Sequence, residues 1–297
     1  MEPLTLTLES AHGCEITANC YEPDSPTIAG LVIAPAMAVQ QSFYDAFARF
    51  IARQGYRVWT FDYHGVGASR QGSMRACKSD VSSWVKTDFE LVVKHATIEL
   101  AGLPLYVLGH SLGGLITPFL PSAKQLSGVI NIAVGSGAKR HMQPRLQRST
   151  PWLWHVVSPL LCKLFGYFPG ARIGIVGDIP RNAMFQWRGW CLNSDYLLDA
   201  EPGAKEAYSE LSCPMLSLFF SDDELLRESG ARWLHNAYTG AHVDYQFLDA
   251  AKIDTPRIGH FGFFKPRQEK PLWPKVSHWL EQQSTAARAH QSGNGFF

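Results

Sequence analysis

A serine, an acid and a histidine that could act together in acyl transfer occur in this chain in that order, each just after an apolar, strand-like run. Leu105 to Gly114 reads LYVLGHSLGG: a β-prone stretch that breaks at a Gly-flanked serine and continues as helix-compatible sequence. This is the pattern of a nucleophile elbow. Such a turn holds Ser111 at a strained backbone position, so the residues two before and two after it must be nearly bare, as Gly109 and Gly113 are. The hydroxyl then stands at the start of a helix, where backbone N–H groups and the helix dipole favour a developing negative charge.

A serine hydroxyl is a weak nucleophile until an imidazole takes its proton, and the imidazole needs a carboxylate to fix its tautomer. Eleven histidines compete for the base. His64 and His110 adjoin glycine turns at or before the nucleophile, His235 and His278 fall within helical patterns, and His141 and His155 lie in an aromatic insert. Only His260 follows the last predicted strand in a Gly-bracketed loop, and it is the candidate base. The acid comes off the strand Pro214–Phe220 as Asp223, with Asp222 as the alternative; one of the two should face the histidine and the other cap the local turn. No acid follows the strand ending at Val134, where Gly135-Ser136-Gly137 comes next. The oxyanion formed on attack needs two N–H donors. Leu112, directly after the serine, supplies one, and Met37, in the loop after the strand ending Ile33-Ala34, is the candidate for the second.

The elements that must position these residues are legible from periodicity. Leu4, Leu6 and Leu8 alternate with threonines, and Cys14–Tyr21 follows Gly13, so the chain opens with an antiparallel pair. Gly30–Pro35 is too continuously apolar for a half-exposed strand and reads as buried on both faces; Arg57–Asp62, Leu105–Leu108, Gly128–Val134 and Pro214–Phe220 continue the strand pattern, and Val243–Leu248 is the last strand. Phe43, Phe47, Phe50 and Ile51 mark one face of a helix, and Val81, Trp84, Val85, Phe89, Val92 and Val93 mark another. Strands alternating with helices predict βαβ units and a mostly parallel, doubly wound sheet. Pro118 and Pro121 predict a short or kinked helix after the elbow. From Ala138 to Ser212 the alternation stops and aromatics such as Trp152, Trp154, Phe165, Phe185, Trp187, Trp190 and Tyr196 crowd in, which predicts a mostly helical lid. The expected division is therefore a core of residues 1–137 and 213–283, a lid of 138–212 and a flexible tail of 284–297. Trp187 and Trp190 in the lid, with Phe261 beside the base, are the candidate substrate contacts.

Composition narrows the function classes. The chain has 297 residues, 46% hydrophobic, with 27 Lys and Arg against 26 Asp and Glu. A net charge of +1 predicts neither nucleic acid nor an anionic membrane as partner. No run is long enough to span a bilayer, so stable membrane insertion is not expected, and the N-terminus shows no signal-peptide pattern, which makes the cytoplasm the default location. Six scattered cysteines without C-x-x-C pairs predict reduced thiols. No metal cluster, phosphate loop or dinucleotide fingerprint points to a cofactor. Oligomeric state is open.

The chain resembles the α/β-hydrolase superfamily over nearly its whole length. Gly109–Gly114 matches its elbow, Asp62-Tyr63-His64-Gly65-Val66-Gly67-Ala68-Ser69 resembles its D-x-R-G-x-G-x-S turn, and Gly259-His260-Phe261 resembles its histidine loop. Together with Ala34-Pro35-Ala36-Met37, Gln186–Cys191, Ser221–Glu224 and Gly259–Phe264, the chain is similar to a bacterial branch of hydrolases. It departs from the superfamily at Pro35-Ala36, in place of His-Gly, and at His64, in place of Arg. Trp84 and Asp88 resemble positions that support the turn. The resemblance implies the α/β-hydrolase fold, with an N-terminal antiparallel hairpin and a lid, and a serine hydrolase acting on a small-molecule ester or thioester through Ser111, His260 and Asp223. An acyltransferase using the same residues with an alcohol or amine acceptor, and a non-catalytic binding protein on the same fold, remain the alternatives.

Overall fold

A computed structural model describes residues 2–10, 13–174 and 176–293. Eight of its ten strands form one sheet in the order β1-β2-β4-β3-β5-β6-β9-β10. β1 (Leu4–Glu9) and β2 (Glu15–Tyr21) are the expected antiparallel hairpin, and β2 also pairs antiparallel with β4 (Tyr56–Phe61). From β4 onward the sheet is parallel, through β3 (Ala29–Ala34), β5 (Leu105–His110), β6 (Gly128–Ile132), β9 (Met215–Phe220) and β10 (Val243–Leu248). The alternating run of β1 leaves it a half-exposed edge, whereas β3, β5, β6 and β9 are buried along their full length, as continuous apolar runs require.

Helices cover both faces because each parallel crossover must return over the sheet. One face carries α1 (Asp45–Ala52) and α12 (Trp273–Gly293), with Phe47, Ile51, Trp273, Val276 and Leu280 packed on Leu31, Tyr106 and Leu218. The other carries α2 (Val81–Ser83), a π turn over Trp84–Phe89 and α3 (Glu90–Leu100), then α4 (Leu112–Ile116). α4 ends after five residues, and a 3₁₀ turn with Pro118 near its start follows, since proline cannot continue the ladder. α11 (Glu228–His235) joins β9 to β10.

The segment between β6 and β9 is mostly helical: α5 (Pro144–Trp152), a π turn over Leu153–Val157, α6 (Ser158–Phe165), α7 (Gly170–Ile173), α8 (Arg181–Leu192), α9 (Tyr196–Ala200) and α10 (Ala204–Glu210). A short antiparallel ladder of β7 (Tyr167–Phe168) and β8 (Ile179–Pro180) ties its middle together. All six cysteines are free.

The tail expected from residue 284 is helical in its described part. α12 continues to Gly293, and Ser284 is buried against the hydroxyls of Tyr56 and Tyr106. A polar composition hid this small residue's place in the packing. Residues 294–297 of that tail lie outside the described residues.

Candidate active site

β5 delivers the serine. Ser111 sits at φ 50°, ψ −112°, a region an L-residue occupies only when its surroundings enforce it. They do so by close approach. A Cβ at Gly109 would collide with the backbone of Gly114, and one at Gly113 with the carbonyl of Ala34 on β3. The Ser111 N–H donates to the carbonyl of Ile132 on β6 (3.0 Å), and its own carbonyl accepts from Gly114 and Leu115. The turn is thus locked to two strands and a helix, and the hydroxyl projects beyond the sheet edge.

The loops after β9 and β10 bring the acid and the imidazole to it. His260 Nε2 lies 2.9 Å from Ser111 Oγ, and His260 Nδ1 lies 2.7 Å from Asp223 Oδ2. His260 and Asp223 are both 2% exposed. Asp223 is held in turn, because its Oδ1 accepts from the N–H groups of Leu225 and Leu226, each at 2.8 Å. Asp222 points elsewhere. Its two oxygens accept from the N–H groups of Ile258 (2.8 Å) and Gly259 (3.0 Å), so it shapes the histidine loop and does not touch the ring. Glu224, to which sequence reasoning gave no role, accepts from the N–H of His260 itself (2.9 Å) and pairs with Arg257. Three consecutive carboxylates divide the tasks of aiming the ring and anchoring its backbone. Residues i and i+1 after a strand end face different ways, which is why adjacent acids serve different partners.

A second histidine was missed. His110, rejected as the base, is fully buried directly under the site. Its Nε2 lies 2.9 Å from the carbonyl oxygen of His260, its Nδ1 lies 2.9 Å from the Tyr44 hydroxyl, and that hydroxyl accepts from the N–H of Ala36 (2.9 Å). A carbonyl can only accept, so the network assigns the proton to Nε2 and makes Nδ1 the acceptor of the Tyr44 O–H. Burial, reinforced by the neighbouring His260, holds His110 down to about 3. It is a neutral connector that joins the loop after β3, the elbow strand and the histidine loop. A Gly-His-Ser sequence carries no sign of this, because the partner Tyr44 is 66 positions away.

The glycine turn after β4 supports the same loop. Asp62 accepts from the N–H groups of Gln41 (2.7 Å) and Ala68 (2.9 Å). His64 stays structural, its N–H donating to Asp88 (2.8 Å) and its carbonyl accepting from Trp84 Nε1 (3.0 Å). Trp84 and Asp88 support this turn, as their resemblance implied. Burial pushes Asp88 up to about 6.

A cavity of about 190 Å³ opens over Ser111 and His260. Met37 and Leu112 line it, as do Trp187 and Phe261. The N–H of Leu112 belongs to the first helical turn, whose donors have no partner within the helix. Trp190 lies elsewhere. It does not line this cavity; its indole N–H donates to Glu201 (2.6 Å), which also accepts from Gln186. On α8 the row Trp187/Cys191 faces the cavity and the row Gln186/Trp190 faces away, a distinction of one helical position. Sequence reasoning missed Met142, Leu146, Leu153, Tyr196 and Leu226 as lining residues. Trp154 lines it too and meets Trp187 edge to face, with ring centroids 5.1 Å apart.

Sheet order, elbow and histidine loop together define the architecture: the chain has the α/β-hydrolase fold. Residues 25–168 match the family described as serine aminopeptidase, S33. Among curated relatives, a monoacylglycerol lipase of Mycolicibacterium smegmatis is 32% identical over 102 residues, 34% of this chain and 35% of that protein. A monoglyceride lipase of Saccharomyces cerevisiae is 28% identical over 125 residues, 41% of this chain and 38% of that protein. The matches span little more than a third of those relatives' length. Among solved structures, a soluble variant of the Saccharomyces cerevisiae monoglyceride lipase in complex with a substrate analog superposes with a TM-score of 0.67 at 16% identity, covering 95% of each chain.

Proposed function

We propose that the protein is a serine hydrolase that cleaves a carboxylic ester or thioester with an apolar acyl group. Ser111 Oγ attacks the carbonyl carbon while His260 Nε2 takes its proton, and Asp223 holds the ring in the tautomer that leaves Nε2 free to do so. The N–H groups of Leu112 and Met37 hold the oxyanion. His260 returns the proton to the leaving alkoxide or thiolate, and the acyl group stays on Ser111. Water, deprotonated by the same imidazole, then releases the acid and restores the serine.

The observation that carries this reading is the unbroken hydrogen-bond chain Ser111–His260–Asp223, at 2.9 and 2.7 Å, on the floor of a cavity walled by Leu, Met and Trp side chains. Apolar walls exclude water from an acyl chain and strengthen the polar contacts at its carbonyl. The relatives' names, monoacylglycerol and monoglyceride lipase, favour an oxygen ester. The test is labelling by an alkyl fluorophosphonate, followed by a panel of p-nitrophenyl esters of increasing chain length. Expected are stoichiometric labelling abolished in Ser111→Ala, a loss of about 10⁶ in kcat in that variant, and kcat/KM rising from acetyl to medium chains. Folded wild-type protein that neither labels nor turns over any ester would refute the proposal.

A further inference from the structure

α5, the π turn after it and α6 run on as one helical stretch over residues 144–165, buried along one side and apolar along the opposite, exposed one. Thr150, Trp154, Ser158 and Cys162, four apart, are buried toward the body, and Leu146, Leu153 and Trp154 reach the cavity over Ser111. On the other side Trp152, Val156, Leu160 and Leu164, also four apart, are exposed by 68, 37, 51 and 59%. A surface helix has a polar face opposite its buried one. Here that place is taken by a Trp, a Val and two Leu, and an aligned apolar stripe of this length marks an interaction site.

Charge says what covers it. The net charge of +1 conceals a segregated distribution: no Asp or Glu occurs between Glu99 and Asp178, while Arg145, Arg148, Lys163 and Arg172 fall on or beside this helix and are exposed. Arg172 lies over the Phe165 ring (5.6 Å) at the end of the stripe. Next to Leu164 opens a cleft of about 390 Å³ lined by Arg75, Lys78, Lys163 and Arg181, with no carboxylate in its lining. Asp178, where the acid-free segment ends, is taken up by Arg70 (4.0 Å) and the N–H of Ala171.

We propose that this outward face of the 144–165 helix docks on the surface of an anionic lipid bilayer. Trp152, Val156, Leu160 and Leu164 enter the boundary between headgroups and acyl chains, and the cations of the cleft and helix meet lipid phosphates. Docking is peripheral, since no helix of the described residues is long and apolar enough to cross a membrane. A nucleic-acid backbone would satisfy the cations but leave the Trp and Leu side chains in water. The docking does not rest on the hydrolase reading, although the same helix walls the proposed acyl site on its inner side.

The test is flotation of the full chain with vesicles of phosphatidylcholine alone, or of phosphatidylcholine with phosphatidylglycerol, at low and high salt. Wild type and Ser111→Ala should float equally with the anionic vesicles, much less with the neutral ones, and less at high salt. Trp152→Ser with Leu160→Ser should weaken partitioning at least ~10-fold, and Lys78→Ala with Lys163→Ala by roughly 25-fold, about five-fold for each cation. Both double variants should keep wild-type turnover of p-nitrophenyl acetate. No flotation with either vesicle, equal flotation with both, or flotation unaffected by either double variant overturns the proposal. So does a dimer in sedimentation velocity that Trp152→Ser with Leu160→Ser dissolves while vesicle binding is absent; the face would then belong to a second copy of the chain.

Discussion

Replacing Asp223 and Asp222 by Asn, one at a time, separates two carboxylates that are adjacent in sequence and opposite in use. In Asp223→Asn the side-chain oxygen can keep both N–H groups of Leu225 and Leu226, so the loop stays in place. The new amide NH₂ then faces His260 Nδ1, where Asp223 Oδ2 stood 2.7 Å away. Being a donor, it forces the ring proton onto Nε2, and the nitrogen 2.9 Å from Ser111 can no longer accept. The expected loss is about 10⁴ in kcat with little change in Tm, or ~5.5 kcal/mol of transition-state stabilisation at ~1.4 kcal/mol per decade. In Asp222→Asn only one of the two N–H groups of Ile258 and Gly259 keeps its acceptor. That should cost about 1–3 kcal/mol of stability and less than about tenfold in kcat, because the ring itself is untouched. The assay is burst kinetics on a p-nitrophenyl ester beside thermal unfolding of each variant. If Asp222→Asn were the less active of the two, or Asp223→Asn stayed within about tenfold of wild type, the assignment of the acid would be wrong.

Two further perturbations address the buried connector. Tyr44→Phe removes a hydroxyl that accepts from Ala36 and donates to His110. It should slacken the loop bearing Met37 and lower kcat about 10²-fold at nearly unchanged KM. Steady-state kinetics on a short ester would show the split, and a pure KM effect would contradict it. His110 binds a proton near its ordinary 6.5 when unfolded but only at about 3 when folded. The unfolded state therefore gains on acidification: stability falls as pH drops from about 6.5 toward 3 and is unaffected by this group above 6.5. Asp88, pushed up to about 6, acts in the opposite sense between its ordinary 3.8 and that value, so wild type and His110→Gln must be compared slope against slope. Urea unfolding from pH 7 to 4 should give a slope for His110→Gln shallower by about one proton, ~1.4 kcal/mol per pH unit; equal slopes would refute the buried neutral imidazole.

What could be read in the sequence was whatever local spacing encodes. Gly109 and Gly113 around Ser111 announce a turn that tolerates no side chain, and continuous apolar runs announce strands buried on both faces. Proline after the elbow announced the short α4. The chain order Ser, acid, His follows from where a parallel sheet puts its loops. Tertiary structure decided what depends on direction rather than order. Which of Asp222 and Asp223 faces the ring turns on one backbone step after β9, and the roles of Glu224, Tyr44 and His110 exist only because three loops converge on one strand end. Trp187 enters the cavity and Trp190 leaves it because adjacent helical rows point to different neighbours. The stripe of Trp152, Val156, Leu160 and Leu164 has ordinary core periodicity in sequence. Only the fold shows that its inner counterpart is already packed and that this face is turned to solvent, because periodicity gives the spacing of a helical face and never its direction.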